Sequence, residues 1–236
     1  MTSLIIIAAA SILLGFFINY LLVKVPKLKI VFQILFPIAI IVLGYYLYNG
    51  INTPIQFKKK MDVRYEKVKQ NLIDIRTAQI AYKQVYNKYA KNFDELVYFV
   101  KFDSIPLVKA EGSIPDSLLE AGMTEKQAII EGIIVRDTMR VAVIDAKFTK
   151  DYPVDSLRYI PCSNGAEFDM DAKKITTGSN VKVQVFEAKA HYAVWLKGLN
   201  HQLIINLIDE RKVNDKYEGL KVGSLTEANN NAGNWE

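Results

Sequence analysis

Two uncharged apolar runs open the chain, Leu4 to Val23 and Ile30 to Tyr48. Each is close to the roughly 20 residues that a helix needs to cross a hydrocarbon core about 30 Å thick, so the pattern predicts two transmembrane helices. Lys24, Lys27 and Lys29 lie between them around Pro26. A lysine at the bilayer centre costs about 2.5–3.5 kcal/mol on insertion scales, which places this link at the surface and makes the pair a helical hairpin. Ser11 and Gly15 form a small-xxx-small pair that would let the second helix approach near Ala39 or Gly44. Met1-Thr2-Ser3 carries no basic side chain, unlike the start of a cleaved signal peptide.

Tyr45, Tyr46 and Tyr48 suit the headgroup zone. Pro54 then predicts an interruption, with a new helix starting near Gln56. Along that helix Met61, Tyr65, Val68, Leu72, Ile75, Tyr82, Tyr86 and Tyr89 recur at alternating steps of four and three, with Gln79 in the one remaining place. Such a stripe either lies on the protein's own sheet or joins two protomers. Ile73, Ala78, Ile80, Ala81 and Val85 widen it beyond a narrow seam, which favours the first use.

A shorter helix is predicted from Asn92 to Val100, capped by Asn92 with Glu95 three residues on. Pro115-Asp116 and Thr124 each open another short helix. After Gly132 the chain reads mostly as strand: 133–136, 139–144, 157–160, 167–170, 174–177, 181–187 and 191–196, with 203–208 readable as strand or helix. The Asn- and Gly-rich end, Asn229 to Glu236, reads as loop. The whole is the pattern of an α+β membrane protein: two N-terminal transmembrane helices, a long amphipathic helix, then a mainly antiparallel β domain. It divides into a transmembrane hairpin over 1–50, a membrane-proximal basic helix with a short helix over 51–103, and an α+β soluble domain over 104–236 that forms one unit with 51–103.

The net charge of +5 over 236 residues changes this picture through its placement. Residues 57–91 hold ten Lys or Arg against Asp62, Glu66 and Asp74, while the rest of the chain beyond them is acidic. Basicity concentrated beside the membrane fits anionic lipid headgroups, with Lys58, Lys59, Lys60 and Arg64 as lipid-facing residues, and not nucleic acid. The aromatics among those lysines keep a heptad spacing suited to packing rather than base stacking.

Candidate chemistry is sparse. His191 and His201 lack the spacing of a zinc helix. His191 reads as a surface or satisfied sheet residue, and the lone Cys162 as a small buried thiol with no disulfide partner. Asp169 and Asp171 would share one face of a strand. No residue set assembles a catalytic group, so no catalytic residue is assigned and an enzyme is disfavoured.

Two stretches carry a resemblance. Asp74-Ile-Arg-Thr-Ala-Gln-Ile-Ala-Tyr-Lys-Gln-Val-Tyr-Asn-Lys-Tyr-Ala with Asn92-Phe-Asp-Glu-Leu resembles the end of the long helix in type IV pilin-like proteins. Gly219-Leu-Lys-Val-Gly-Ser-Leu-Thr-Glu-Ala-Asn-Asn-Asn-Ala-Gly-Asn-Trp-Glu is similar to the C-terminal loop of the major pseudopilin of type II secretion. The pilin resemblance implies a domain shape but not a filament, because pilins enter the membrane on one helix bearing an early glutamate, and this chain has no acid before Asp62. The pseudopilin resemblance implies calcium at the C-terminal loop, with Glu227, Asn229 and Asn231 as matching donors; no other cofactor is implied. Counted literally, the lysines and arginines flanking the second apolar run put the soluble domain of this two-pass protein in the cytoplasm; the sequence as a whole resembles inner-membrane proteins of Bacteroidota, which implies instead that the domain is in the periplasm.

Taken together, the expected function is that of a non-catalytic, membrane-anchored interaction subunit of a cell-envelope or secretion-type assembly. Its partners would be membrane lipids and other envelope proteins. The alternatives are a scaffold that associates with itself through Met61, Tyr65, Val68, Leu72, Tyr82, Tyr86 and Tyr89, or an enzyme with an unrecognised site.

Overall fold

A computed structural model describes residues 15–236, with the exception of 17, 21–23, 25, 112 and 121. Most of the first predicted crossing, Leu4 to Val23, therefore lies outside the described residues. Helix α1, Pro26–Tyr86, contains the second predicted crossing and the heptad stripe in one element. It runs through Pro54 instead of stopping there. A helical proline removes one bond, here to the carbonyl of Gly50, and a helix bonded on both sides of the gap carries that local loss. The segment Gln33–Tyr86 includes a window of mean hydropathy 1.8, with none of the window buried in the protein, and is long and apolar enough to cross a membrane. Ile40, Ile41, Leu43 and Leu47 are each about two-thirds or more exposed, which in water would be costly and in lipid is not.

The chain divides into two compact units, with the boundary between Lys58 and Lys59, inside α1. In the unit Lys59–Glu236, α1 buries Val68, Leu72, Ile75, Ala78, Gln79, Ala81 and Tyr82, a face repeating every three to four residues. Asn87 ends the helix at φ +54, its N–H bonded to the Lys83 carbonyl at 2.9 Å; asparagine is among the few residues that take this left-handed position readily. The chain reverses into α2, Phe93–Phe102, which buries Phe93, Leu96, Phe99 and Val100. The Asn92 side chain accepts the Glu95 N–H at 2.9 Å, and Glu95 reaches back to the Lys91 N–H, closing the cap that the sequence predicts.

β1, Ser104–Glu111, and β2, Val135–Ala142, form an antiparallel pair. Between them lie α3, Asp116–Glu120, and α4, Glu125–Ile130, the latter opened by a Thr124–Gln127 capping box. After α5, Val143–Lys147, and a 3-10 turn, Val154–Arg158, come β3, Asp169–Thr176, and β4, Lys182–His191. Helices α6, Tyr192–Trp195, and α7, His201–Val213, precede β5, Gly219–Gly223. The second sheet is antiparallel in the order β3-β4-β5. On β4, Phe186, Ala188 and Ala190 are buried while Glu187 and Lys189 are not, the two-residue period of a one-sided sheet. Gln79 meets Met170 of β3 at 3.3 Å and Tyr89 packs on Phe186 of β4 with rings 4.8 Å apart.

Several predicted strands are corrected. Of residues 191–196, His191 ends β4 and Tyr192–Trp195 form a helix, because the His191 imidazole nitrogen Nδ1 accepts the Ala193 N–H at 3.1 Å and acts as its cap. Leu157 and Arg158 belong to the 3-10 turn and Tyr159 makes only an isolated bridge to Glu167, while Val143 leaves the strand register to open α5. β1 was hidden by Pro106, which a two-stranded edge tolerates. Cys162 is exposed, not buried, in the turn at 161–165, where it takes φ +64.

Candidate functional site

Of the residues of α2 that are not buried, Asp94, Tyr98, Lys101 and Phe102 lie on one face at helical spacing, with exposed Glu95 and half-buried Val97 at its edges. Tyr98 is 63% and Phe102 71% exposed, with ring centroids 5.0 Å apart. Two aromatic rings held on a rigid helix in solvent are unusual, and such rings dominate binding energy where they are found at interfaces. The 3-10 turn fixes the face from one side, through Lys101 to Asp155 at 2.7 Å and through Arg158 to Asp94. Asp94 and Arg158 hold each other's charge, and that bond is the leading cause of an Arg158 basicity above the ordinary arginine value. Tyr159 continues the aromatic surface beyond the turn.

A depression lies on each side of Tyr98. One, about 410 Å³, is floored by Val97 and Phe102 and crossed by the two ion pairs. The other, about 420 Å³, lies between the end of α1 and α2. Its wall is aromatic: Tyr82 and Tyr86 rings lie 4.7 Å apart and Phe99 stands edge-on to Tyr82 at 5.1 Å. Its rim is acidic, with Glu95 and Asp103 facing it. The Tyr86 hydroxyl donates to Asp103 at 2.6 Å, and this bond is the main reason its phenol titrates above the usual tyrosine range. Burial, followed by Glu95 and Asp103, raises Tyr82 in the same direction. Both phenols therefore stay protonated at neutral pH and offer ring faces rather than a general base.

A third depression, about 490 Å³, lies beside α1 between Lys67 and Ile160. There the Tyr152 hydroxyl donates to Asp74 at 2.8 Å. Burial and then that hydrogen bond push the phenol far above its ordinary value, so the pair serves as a fixed tie across the domain.

The residues singled out in the sequence are placed as follows. Val68, Leu72, Tyr82 and Tyr89 are buried within their own unit, Met61 and Tyr65 are half-buried, and Tyr86 is exposed. Lys58, Lys59 and Lys60 are exposed. Arg64 is half-buried, and its guanidinium donates through one nitrogen to the carbonyls of Trp195 and Lys197, both at 2.9 Å, satisfying groups left over at the end of α6. Glu227, Asn229 and Asn231 lie in a C-terminal segment that is docked, not free. The Asn231 amide meets the Tyr89 hydroxyl at 3.0–3.1 Å, and Glu236 pairs with Arg76 at 2.5 Å. Among the described residues, no three His, Cys, Asp or Glu side chains group to hold a metal ion.

Tyr98 and Phe102 are the residues that sequence reasoning missed. Part of their signal was present: Tyr98 stands on the face of the predicted helix opposite Phe93, Leu96 and Val100, and Phe102, four residues on, falls just past its predicted end. No family description matches this chain, and no curated protein or solved structure is significantly similar to it.

Proposed function

We propose that the chain is a non-catalytic, membrane-anchored interaction subunit of a cell-envelope or secretion-type assembly, and that its partner docks on the exposed face of α2. The observation that carries this reading is the pair Tyr98 and Phe102, solvent-exposed on a helix whose other face is locked into the core. The ion pairs beside them hold the surface in one arrangement before a partner arrives, which lowers the ordering cost of binding. A long helix on an antiparallel sheet with a docked C-terminal segment agrees with a pilin-like domain shape. Self-association through the 61–89 stripe is the weaker reading, because Val68, Leu72 and Tyr82 are already covered.

Replacing Tyr98 and Phe102 together by Asp tests the face. Both rings are exposed, so circular dichroism and thermal unfolding should stay near wild type. Chains that co-purify with the wild-type protein from native membranes in mild detergent should fall at least about 30-fold, the loss of an interface centre worth 2 kcal/mol or more. Undiminished recovery of the same chains would remove α2 as the docking face.

The anchor belongs to the same proposal: two crossings in a bacterial inner membrane, with the domain in the periplasm. The exposed thiol of Cys162 reports on this directly. An impermeant maleimide added to intact spheroplasts is expected to label it without prior disruption. Labelling seen only after lysis would place the domain in the cytoplasm.

A further inference from the structure

We propose that the depression between the end of α1 and α2 is a receptor for one arginine side chain of the partner polypeptide. The inference rests on the reading of α2 as the docking face and names the chemistry of its central contact.

Three observations on the same few residues carry it. The wall is built of rings whose faces attract cations: Tyr86, 44% exposed, stacked on Tyr82, with Tyr98 on the opposite side. The rim carries carboxylates, and among the described residues neither Glu95 nor Asp103 has an ion-pair partner; Glu95 caps its own helix and Asp103 accepts from Tyr86. Asp94, which lines this depression too, already pairs with the Arg158 guanidinium in the neighbouring one, so a carboxylate of this helix accepts that group.

Arginine fits these features better than lysine. Its planar guanidinium stacks on a tyrosine face while its fork donates in parallel to a carboxylate, whereas an ammonium is a compact, strongly hydrated charge. A volume of about 420 Å³ takes a side chain, not a helix or strand. An acidic peptide or an anionic headgroup would meet Glu95 and Asp103 as like charges.

The test uses the full chain in a nonionic detergent and two probes, an end-blocked Gly-Gly-Arg-Gly-Gly peptide and the same peptide with citrulline, which keeps the shape and removes the charge. Saturation-transfer difference NMR detects weak contacts from the peptide side. The expected result is transfer to the arginine side-chain methylenes in the wild type, at least fivefold weaker transfer to citrulline, and at least fivefold loss in Asp103→Asn. Tyr86→Phe, which keeps the ring and frees Asp103 from its hydrogen bond, should bind as well as wild type or better. Equal transfer to the two peptides, or undiminished transfer in Asp103→Asn, overturns the proposal. Loss of the native partner in the Tyr98 and Phe102 variant, with no transfer to the arginine peptide, sinks the arginine receptor and leaves the docking face standing.

Discussion

Gln79→Leu is expected to destabilise the domain by about 2–5 kcal/mol, although it puts an apolar side chain of similar size at a fully buried position. The reason lies in what the amide holds. Its Nε2 donates to the Ala90 carbonyl and its Oε1 accepts the Ala90 N–H, both at 2.9 Å, in the reversal between α1 and α2. Ala90 is itself fully buried, so without Gln79 a backbone donor and a backbone acceptor lose their partners in a place water does not reach. Each such orphan costs about 1–3 kcal/mol, more than the extra apolar contact returns. Urea unfolding of the full chain in nonionic detergent, followed by near-ultraviolet circular dichroism, measures the loss; a change below about 0.5 kcal/mol would mean the reversal is held elsewhere. The same reversal sets Tyr82 and Tyr86 opposite Tyr98, so the fully folded variant should also lose transfer to the arginine peptide.

Gly223→Ala is expected to cost a comparable amount, on the order of 2–5 kcal/mol, from two independent sources. Gly223 sits at φ +73, where a Cβ is strained by about 1–2 kcal/mol. The added carbon would also lie 2.1 Å from the Phe186 carbonyl oxygen, a backbone atom of the central strand that cannot swing aside. Relief requires β5 to move off β4. That displacement would carry the C-terminal segment with it, because the Gly223 N–H binds the Ala232 carbonyl at 3.0 Å and Val222 bridges to Gly233. The Tyr89–Asn231 and Arg76–Glu236 ties to α1 would loosen in turn. Gly178→Ala is the comparison: no atom lies within 4 Å of the added carbon, and the change should stay within about 0.5 kcal/mol. Equal unfolding midpoints for the two variants would show that the strand edge is softer than its geometry implies.

The parts of this fold legible in the sequence are those decided by neighbours along the chain. The caps at Asn92 and Thr124 were readable because the cap residue and its reciprocal partner stand three apart. The buried face of α1 was readable because its repeat is the helical one. Pro54 misled because a breaker inside a short peptide is only a local defect in a helix of 61 residues. The run 191–196 misled because alternation of apolar and polar side chains suits a strand, while the His191 ring that caps α6 and the fully buried Trp195 that anchors it act through the tertiary fold.

The candidate site divides in the same way. Tyr98 could be placed on the outer face of a helix from spacing alone, and the acids at 94, 95 and 103 were visible in the chain; Phe102 joined that face only because the helix runs two residues further than predicted. That Tyr86 and Asp103, 17 residues apart, would share a hydrogen bond beside Tyr98 was not. Nor was the bonding of Arg64 to two carbonyls more than 130 residues away. By itself the sequence determined a helix apolar and long enough to cross a membrane, the amphipathic face over 61–89, and the caps at Asn92 and Thr124, because solvent preference and local hydrogen bonding act over a few residues. Tertiary structure decided which stripe residues are consumed in the core and which aromatics remain in solvent, because burial depends on what the rest of the chain brings to cover them.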